Sequence, residues 1–157
     1  MLRRMPGPSA SAVHVASFDD LDAGTSYDLW RLRQVVFVVE QECAYLDLDG
    51  RDREPGTRHV WVEDDGVPVG YLRVLDDPGH ARIGRVVVAH SHRGRGLADV
   101  LVRAALDLVG DNPSVLDAQS YLAGWYGRFG YVATGPEFLD DGIPHVPMRR
   151  EGGPLPA

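Results

Sequence analysis

Apolar residues recur at three- and four-residue spacing in two stretches of the chain, which is the pattern of a helix that buries one face. The first predicted helix begins at a capping box formed by Thr25 and Asp28 and ends near Gln41. Its buried stripe is predicted to be Leu29, Leu32, Val36 and Val39, and its solvent-facing positions Arg31, Arg33 and Gln34. The second predicted helix runs from Gly96 to Gly110, with a stripe of Leu97, Val100, Leu101, Ala104, Ala105 and Leu108.

Seven shorter segments carry the signals of β-strands, either apolar and polar residues in alternation or β-branched runs bounded by turns. They are predicted at residues 13–18, 59–63, 67–75, 82–89, 115–119, 131–138 and 145–149, with a short helix at residues 122–129. The element order β-α-β-β-β-α-β-α-β-β excludes a doubly wound repeat and a barrel. We therefore predict an α/β fold, a single domain with a central mixed, twisted sheet of about seven strands flanked by helices.

The composition sets the limits of this domain. A chain of 157 residues, 44% hydrophobic and 25% charged, suits one soluble globular core and no membrane segment. We predict a disordered leader at residues 1–12, the folded domain at residues 13–150 and a flexible tail at residues 151–157. The leader has no apolar run, so it does not match a signal peptide, and the expected location is the cytoplasm.

Charge and residue usage exclude several classes of chemistry. The net charge of -7 argues against a nucleic-acid partner, because neutralising phosphates needs a basic face. All sixteen basic residues are arginines, so the chain has neither a P-loop lysine nor a lysine that could form a Schiff base. Cys43 is the single cysteine, which excludes an internal disulfide and a thiolate-rich metal site and fits a reducing compartment. We predict that the protein uses no metal.

The segment Arg93-Gly94-Arg95-Gly96-Leu97-Ala98 lies between a predicted buried strand and the start of the second helix. A helix start offers unpaired N–H donors and a positive dipole end, and glycines let an anion approach the backbone. Residues 82–103 contain five arginines against one aspartate in a chain of negative net charge. An anionic ligand is therefore expected here, with a tight turn of solvated arginines as the alternative. A dinucleotide fingerprint is disfavoured because Asp99 stands where its third glycine belongs.

Two motifs resemble the GNAT superfamily of acyl-CoA-dependent N-acyltransferases. The positions that carry the match are Arg93, Gly96 and Ala98 in an Arg/Gln-x-x-Gly-x-Gly/Ala motif, followed by residues 125–131 with the sequence Trp-Tyr-Gly-Arg-Phe-Gly-Tyr. Residues 32–41 and residues 141–145 are similar to the ElaA branch of that superfamily. The resemblance covers nearly all of residues 13–150 and implies a GNAT-like fold.

The same resemblance implies acetyl-CoA as the donor substrate and assigns most of the site. The residues implied to bind it are Val86, Val87, Val88, Arg93, Gly94, Arg95, Gly96, Leu97, Ala98 and Gln119. The amides of residues 94–98 would hold the pyrophosphate, the backbone of the three valines would pair with the pantetheine arm, and Gln119 would border the thioester. Tyr126 matches the family's general acid, which protonates the departing thiolate.

The base that takes the amine's proton is not specified by these motifs. An amine with a pKa near ~10.4 is mostly protonated at neutral pH, so a side chain or a water relay must remove its proton. Many relatives carry a carboxylate where this chain has Gly84 and Arg85. Glu40, at the end of the first helix, is the first candidate. His59 is the second, because imidazoles suit proton relay, although both positions also fit purely structural roles.

These expectations combine into one predicted function, an N-acetyltransferase that transfers an acetyl group from acetyl-CoA to a primary amine by direct attack in a ternary complex. The acceptor would be a small-molecule amine or a protein amine, which the acidic segment at residues 40–54 could attract, and formation of a homodimer is left open. The alternatives are a non-catalytic acyl-CoA-binding sensor or interaction module and an autoinducer-synthase-like acyltransferase.

Overall fold

The computed structural model describes residues 12–156. Apart from Ala12, the predicted leader lies outside the described residues. The elements in chain order are β1 (Val13–Ala16), α1 (Ala23–Arg33) with a π-helical continuation (Gln34–Glu40), β2 (Arg58–Asp64), β3 (Val67–Asp77), β4 (His80–Val88), α2 (Leu97–Val109), β5 (Ser114–Gln119), α3 (Ala123–Gly127), β6 (Val132–Ala133), β7 (Phe138–Asp140) and β8 (Ile143–Arg150). No helix in the described range is long and apolar enough to span a bilayer.

A single sheet connects these elements. Its strand order is β1-β2-β3-β4-β5-β8-β6, and β7 also pairs with β8. Within residues 12–156 only β4 and β5 pair in parallel, and the other pairs are antiparallel. The predicted mixed α/β sheet is therefore confirmed, with eight strands in the described range instead of about seven. The predicted strand at residues 131–138 is interrupted at Pro136, because proline lacks the N–H that a strand ladder needs.

The two long helices cover opposite faces of the sheet. Alternation along β2 shows this, since Val60 and Val62 belong to the core under α2 whereas Trp61 between them packs against α1. In α2 the buried side chains are Leu101, Val102, Ala105, Leu106 and Val109. The predicted stripe of α2 is wrong in part, because Val100 and Leu108 face solvent. This helix carries apolar residues on most of its sides, so the spacing of apolar residues is compatible with more than one buried face. Packing of the helix on the sheet determines which of these faces is buried.

The start and end of α1 also differ from the prediction. The side chain of Asp22 accepts a hydrogen bond from the Thr25 N–H over 2.6 Å, so Asp22 caps the helix in place of the predicted capping box at Thr25. At the other end Val39 is 65% exposed and does not extend the buried stripe. The last turns are π-helical, a wider winding that rotates side chains away from the positions that a 3.6-residue period predicts.

Arg33 is the largest departure from the sequence prediction, which placed it in solvent. Its side chain is fully buried, and Nε donates to Asp47 Oδ2 over 2.8 Å while Nη1 donates to Asp52 Oδ1 over 2.7 Å. Arg73 donates to Asp49 Oδ2 over 2.6 Å and to Asp52 Oδ1 over 3.1 Å. Buried charges persist in proteins when they are paired and hydrogen-bonded. The predicted acidic segment is therefore not an open anionic surface, because these aspartates are paired with arginines.

β4 contains a bulge in the middle of its length. Gly84 is opposite Arg73 and Val87 is opposite Tyr71, so three steps along β4 match two steps along β3. The extra residue is Arg85, whose φ of 52° lies in the left-handed region that few non-glycine residues adopt. The bulge changes which way the following residues of β4 face.

β4 and β5 diverge soon after they start. β4 pairs with β5 only at Ala81 and Arg82, whereas β5 pairs with β8 along its whole length. The divergence coincides with the bulge, where Arg85 Nε lies 2.9 Å from Asp47 Oδ1, an ion-pair distance outside hydrogen-bond geometry. The fork between the two strands leaves one edge of β4 without a strand partner.

The C-terminal segment was predicted to be a flexible tail, but its described residues pack on the domain. Arg150 Nη2 donates to the carbonyls of Gly153 over 2.7 Å and Pro154 over 3.1 Å, and its Nε donates to the Phe129 carbonyl over 2.7 Å. Leu155 packs against the core under α2. Residues 151–156 therefore lie against the folded unit.

Candidate functional site

The fork between β4 and β5 opens into a cleft of about 910 Å³, the central cleft. Its walls come from β4, β5, α3, the start of α2 and the π-helical end of α1. Eleven of the thirteen predicted site residues line it: Glu40, Val86, Val87, Val88, Arg93, Gly94, Gly96, Leu97, Ala98, Gln119 and Tyr126. Arg95 and His59 do not. A smaller cavity of about 380 Å³ beside the C-terminal segment contains none of the predicted site residues.

At one end of the central cleft lies the turn of residues 93–98, which is called the phosphate turn because the sequence predicts an anionic ligand there. Gly94 and Gly96 both have φ of 77°, and nothing lies within 4 Å of where a Cβ would stand on either. Gly96 is the N-cap of α2 and supplies no side chain, so the first amides of the helix have no capping acceptor. Among the described residues no protein group accepts a hydrogen bond from the amides of residues 94–99. The turn can therefore offer several N–H donors to an anion.

The side chain of Arg93 connects this turn to two neighbouring elements. Its Nε donates to the Val88 carbonyl over 3.1 Å, and its Nη2 donates to Glu40 Oε2 over 2.8 Å. The side chain thus connects the end of β4 with the end of the π-helix. Arg95 differs, because it is exposed and lies outside the lining of the central cleft.

The floor of the central cleft is the free edge of β4. Val86, Val87 and Val88 follow the bulge and lie beyond the last residue that pairs with β5. β3 takes up the other edge of the strand, so the backbone groups that face the fork have no strand partner. An extended chain that carries amide groups can pair with this edge as an additional strand would.

Tyr126 enters the central cleft from α3. It is 6% exposed and packs edge-to-face against Trp125 and Tyr131, at centroid distances of 4.9 Å and 6.1 Å. Its hydroxyl forms no hydrogen bond with any side chain or carbonyl in the described range, although the ring lines the cleft. Burial raises the pKa of Tyr126 well above its ordinary value. The phenol therefore keeps its proton at neutral and moderately alkaline pH.

Gln119, the last residue of β5, is paired with His145 on β8, and both line the central cleft. His145 Nδ1 lies 2.7 Å from the Ile143 carbonyl, so this nitrogen carries the hydrogen and donates it. The ring stacks on Phe138 at a centroid distance of 5.8 Å. The sequence analysis did not single out His145 as a candidate site residue, because residues 141–145 were used only as part of the resemblance to a family.

His59 lies outside the central cleft. Its ring is fully buried, with Nδ1 2.7 Å from the Tyr71 hydroxyl and Nε2 3.0 Å from the Asp52 carbonyl. A carbonyl only accepts, so Nε2 carries the hydrogen and Nδ1 accepts from Tyr71. Burial lowers the pKa of His59, which keeps the ring neutral. Since neither ring nitrogen is open to a substrate, this placement argues against the hypothesis that His59 is the base.

Glu40 lines the central cleft at the phosphate end. Its partner Arg93 directly precedes the glycines of the phosphate turn, so the carboxylate sits beside that turn. Gln119 and Tyr126 line the cleft from β5 and α3 instead. The contact with Arg93 gives Glu40 a structural role at the turn and argues against the hypothesis that it is the base.

The remaining wall comes from the segment that follows the π-helix. Cys43 is buried with Sγ 3.4 Å from the Gln41 carbonyl and 3.9 Å from the Asp141 carbonyl, so this segment meets the β7–β8 turn. Burial raises the pKa of Tyr45, which also lines the cleft. No group of three or more histidine, cysteine, aspartate or glutamate side chains between residues 12 and 156 is arranged to hold a metal ion.

Comparison with known proteins identifies close relatives. Residues 34–151 match the family described as acetyltransferase (GNAT) domain. A UPF0039 protein from Mycobacterium tuberculosis is 50% identical over 140 residues, which cover 85% of this chain and 88% of that protein. Protein ElaA from Escherichia coli is 38% identical over 141 residues, covering 84% of this chain and 91% of ElaA.

Two crystal structures share the fold. That of Escherichia coli ElaA superposes with a TM-score of 0.86 at 33% identity, covering 89% of this chain and 99% of that one. An acyl-CoA N-acyltransferase from Pseudomonas aeruginosa superposes with a TM-score of 0.87 at 40% identity, covering 90% of this chain and 99% of that one.

Proposed function

Because the chain belongs to the GNAT acetyltransferase family and is ElaA-like within it, we propose that it transfers an acetyl group from acetyl-CoA to a primary amine. The amine attacks the thioester directly in a ternary complex, and no covalent intermediate forms on the protein. The acceptor is a small-molecule amine or a protein amine. The single cysteine of the chain fits a reducing compartment, and we place the protein in the cytoplasm on that basis.

The observation that carries this proposal is the position of the phosphate turn at the end of the fork between β4 and β5. Acyl-CoA is a long molecule with phosphates at one end, two amides along its arm and a thioester at the other. The free amides of residues 94–98 suit the phosphates, and the unpaired edge of residues 86–88 suits the amides. Arg95 lies outside the cleft lining and would act on the phosphates through its charge alone.

Tyr126 is proposed to be the general acid. Breaking the C–S bond releases a thiolate whose ordinary pKa is about 8.5, and a nearby phenol of ordinary pKa about 10 can protonate it while the bond breaks. The buried position and the unpartnered hydroxyl of Tyr126 support this role. A raised pKa makes the phenol a weaker acid, but it also guarantees that the proton is present at the working pH.

The test is thiol release from acyl-CoA with a panel of amines, with product masses recorded. We expect amine-dependent release of free CoA and a product heavier than the acceptor by one acetyl group. Butyryl-CoA and octanoyl-CoA, assayed beside acetyl-CoA, measure which acyl chain the protein transfers fastest. If acetyl-CoA protects the protein from heat while no amine accelerates thiol release, the protein is an acyl-CoA-binding sensor and the proposal is wrong.

A further inference from the structure

We propose that His145 is the base that accepts the proton of the attacking amine. This inference rests on the proposed function and deepens it by naming the group that the motifs leave unassigned. Three observations carry it: the orientation of the imidazole ring, the face of the sheet on which it stands, and the state of the other histidines and carboxylates near the central cleft.

The ring of His145 is held with one nitrogen open. Nδ1 donates to the Ile143 carbonyl over 2.7 Å, and the Phe138 ring stacks against the imidazole. In a neutral imidazole with the hydrogen on Nδ1, Nε2 carries the lone pair. No group in residues 12–156 forms a hydrogen bond with Nε2, and the residue lines the central cleft. His145 is thereby prepared to accept a proton from a molecule in the cleft.

His145 and Tyr126 stand on opposite faces of the sheet. On β8 the neighbouring Val146 packs with the core that contains Tyr126, so alternation directs His145 to the face that α1 covers. On β5 the same alternation directs Gln119 to the face of His145, since Ala118 belongs to the Tyr126 core. A thioester lying between β4 and β5 would have the acid on one face and the base on the other, where an amine could approach.

The other histidine that lines the central cleft in the described range has both ring nitrogens engaged. His92 lines the central cleft, but Nδ1 lies 2.7 Å from Ser91 Oγ and Nε2 lies 2.6 Å from Asp64 Oδ2. His59 is buried outside the cleft with both nitrogens bonded, and Glu40 is paired with Arg93 at the phosphate end. His145 is therefore the one imidazole lining the cleft in residues 12–156 with an open nitrogen.

Several titratable or charged groups share this part of the central cleft and contribute to its electrostatics. They include Asp117 on β5, Tyr121 just before α3, Asp140 and Asp141 at the β7–β8 turn, Cys43 and Tyr45 on the segment after the π-helix, Arg73 on β3, and Arg82 and Arg85 on β4. Arg85 is paired with Asp47 and Arg82 with Asp117, which partly neutralises both arginines. The carboxylates of the β7–β8 turn would attract a cationic amine to the cleft.

The proton balance of the step is complete without another reactant. The neutral amine nitrogen attacks the carbonyl carbon, the C–N bond forms, and one N–H proton passes to His145 Nε2. The C–S bond then breaks, and the thiolate takes the proton of the Tyr126 hydroxyl. Solvent carries the proton of the imidazolium to the phenolate, so the products are an amide and a free thiol and both side chains are restored.

The experiment compares His145→Asn with the parent, using acetyl-CoA and the best acceptor from a panel of spermidine, glucosamine and a tripeptide. Asparagine can still donate to the Ile143 carbonyl but has no basic nitrogen. We expect kcat/KM for the amine to fall by about 10²-fold or more at pH 7, and the rise of kcat/KM between pH 5 and 8 to disappear. Added imidazole should restore part of the rate in His145→Ala.

Three controls make the result decisive. Heat protection by acetyl-CoA should persist in His145→Asn, which shows that the variant folds and binds the donor. His14→Asn, on β1 at the far edge of the sheet, should leave rate and pH profile unchanged. Hydroxylamine is a weaker base than an alkylamine, so the nitrogen of its adduct loses a proton to water more readily, and its acetylation should suffer less in His145→Asn.

The outcomes separate the inference from the function on which it rests. If His145→Asn keeps the parent rate and the parent pH profile, the inference is overturned and the proposed function stands. If the parent protein binds acetyl-CoA but acetylates nothing in the panel, the proposed function is overturned and the inference with it.

Discussion

Arg93 and Glu40 form an ion pair in which Nη2 donates to Oε2 over 2.8 Å. The residues are 53 positions apart in the chain, and their contact joins the π-helical end of α1 to the phosphate turn. Both side chains remain about one third or more exposed to solvent, at 42% and 31%, so the pair contributes only about 0–1 kcal/mol to stability. Its importance is positional, because it holds the guanidinium and the carboxylate beside the place where phosphates are proposed to bind.

We expect Glu40→Gln to bind acetyl-CoA as tightly as the parent or up to several-fold more tightly. The substitution removes a negative charge near the phosphate turn and frees Arg93, an effect of about 0.2–1 kcal/mol for an exposed pair. The dissociation constant from calorimetry checks this, with the exposed Glu42→Gln as the matched control. The pH profile of turnover should not change. If turnover of Glu40→Gln no longer falls at acidic pH as turnover of the parent does, the base is Glu40 and not His145.

Gly96→Glu should abolish the stabilisation of the protein by CoA. The parent should gain about 2.7 kcal/mol at a hundredfold excess of ligand over its dissociation constant. A glutamate at the N-cap of α2 places bulk and negative charge where phosphate is proposed to bind. Gly66→Glu is the matched control, since Gly66 also has a positive φ and open space, but in the β2–β3 turn. Thermal unfolding with and without CoA measures both, and equal protection of Gly96→Glu would refute the phosphate assignment.

Tyr126→Phe should lower turnover by roughly 10²-fold or more and leave the affinity for acetyl-CoA almost unchanged, because the ring stays and only the proton donor is lost. Burial raises the pKa of Tyr126, so the parent should keep its turnover into the alkaline range, without a loss from ionisation of this phenol near pH 10. The measurement is the steady-state turnover rate, taken under conditions in which the chemical step is rate-limiting. Tyr27→Phe, on the exposed face of α1, serves as control. An unchanged rate in Tyr126→Phe would remove the residue from the mechanism.

Arg33→Met should destabilise the protein by about 3–5 kcal/mol, because it leaves Asp47 and Asp52 without their buried partner. Arg31→Met, two positions earlier on the same helix and exposed, should change the free energy of unfolding by no more than about 0.5 kcal/mol. Urea unfolding followed by circular dichroism compares the two variants. If both variants change the free energy of unfolding equally, the ion pairs of Arg33 with Asp47 and Asp52 stabilise the protein no more than an ordinary surface arginine does.

Acid should lower the free energy of unfolding in two stages. Burial lowers the pKa of His59, so the unfolded chain binds its proton more readily, and stability declines as pH falls below about 6.5. For Asp49, burial alone raises the pKa, but Arg73 outweighs this and holds it below the ordinary range, so a second loss follows below about pH 4. Urea unfolding between pH 8 and 3 detects both stages. In His59→Gln the first stage should be smaller, and an unaltered first stage would contradict the assignment to His59.

Much of the candidate site could be found from the sequence because its signals are local. The phosphate turn occupies six consecutive residues that end one strand and start one helix, and Tyr126 lies in a compact aromatic motif. The order of helices and strands also follows from short-range periodicity, so the sequence alone predicts the mixed sheet. Local backbone preferences and burial patterns involve only a few neighbouring residues, so they can be recognised in the amino-acid sequence.

Other features required the tertiary structure. Arg33 has the spacing of a solvent-facing residue, and only the folding of a segment 14 to 19 positions away supplies the aspartates that allow its burial. His145 becomes a candidate base because β8 pairs with β5 and sets it beside Gln119, which is 26 positions away in sequence. The fork that forms the central cleft depends on where β4 and β5 stop pairing.

The sequence by itself therefore determined most of the elements and pointed to the turn of residues 93–98 and to Tyr126, the proposed general acid, because each is encoded by residues close together in the chain. The tertiary structure decided which charges are buried, which edge of β4 is free and which side chains face one another across the cleft. The physical reason is that such contacts join residues far apart in sequence, whose partners no local pattern specifies, and the desolvation and pairing of charges depend on those partners.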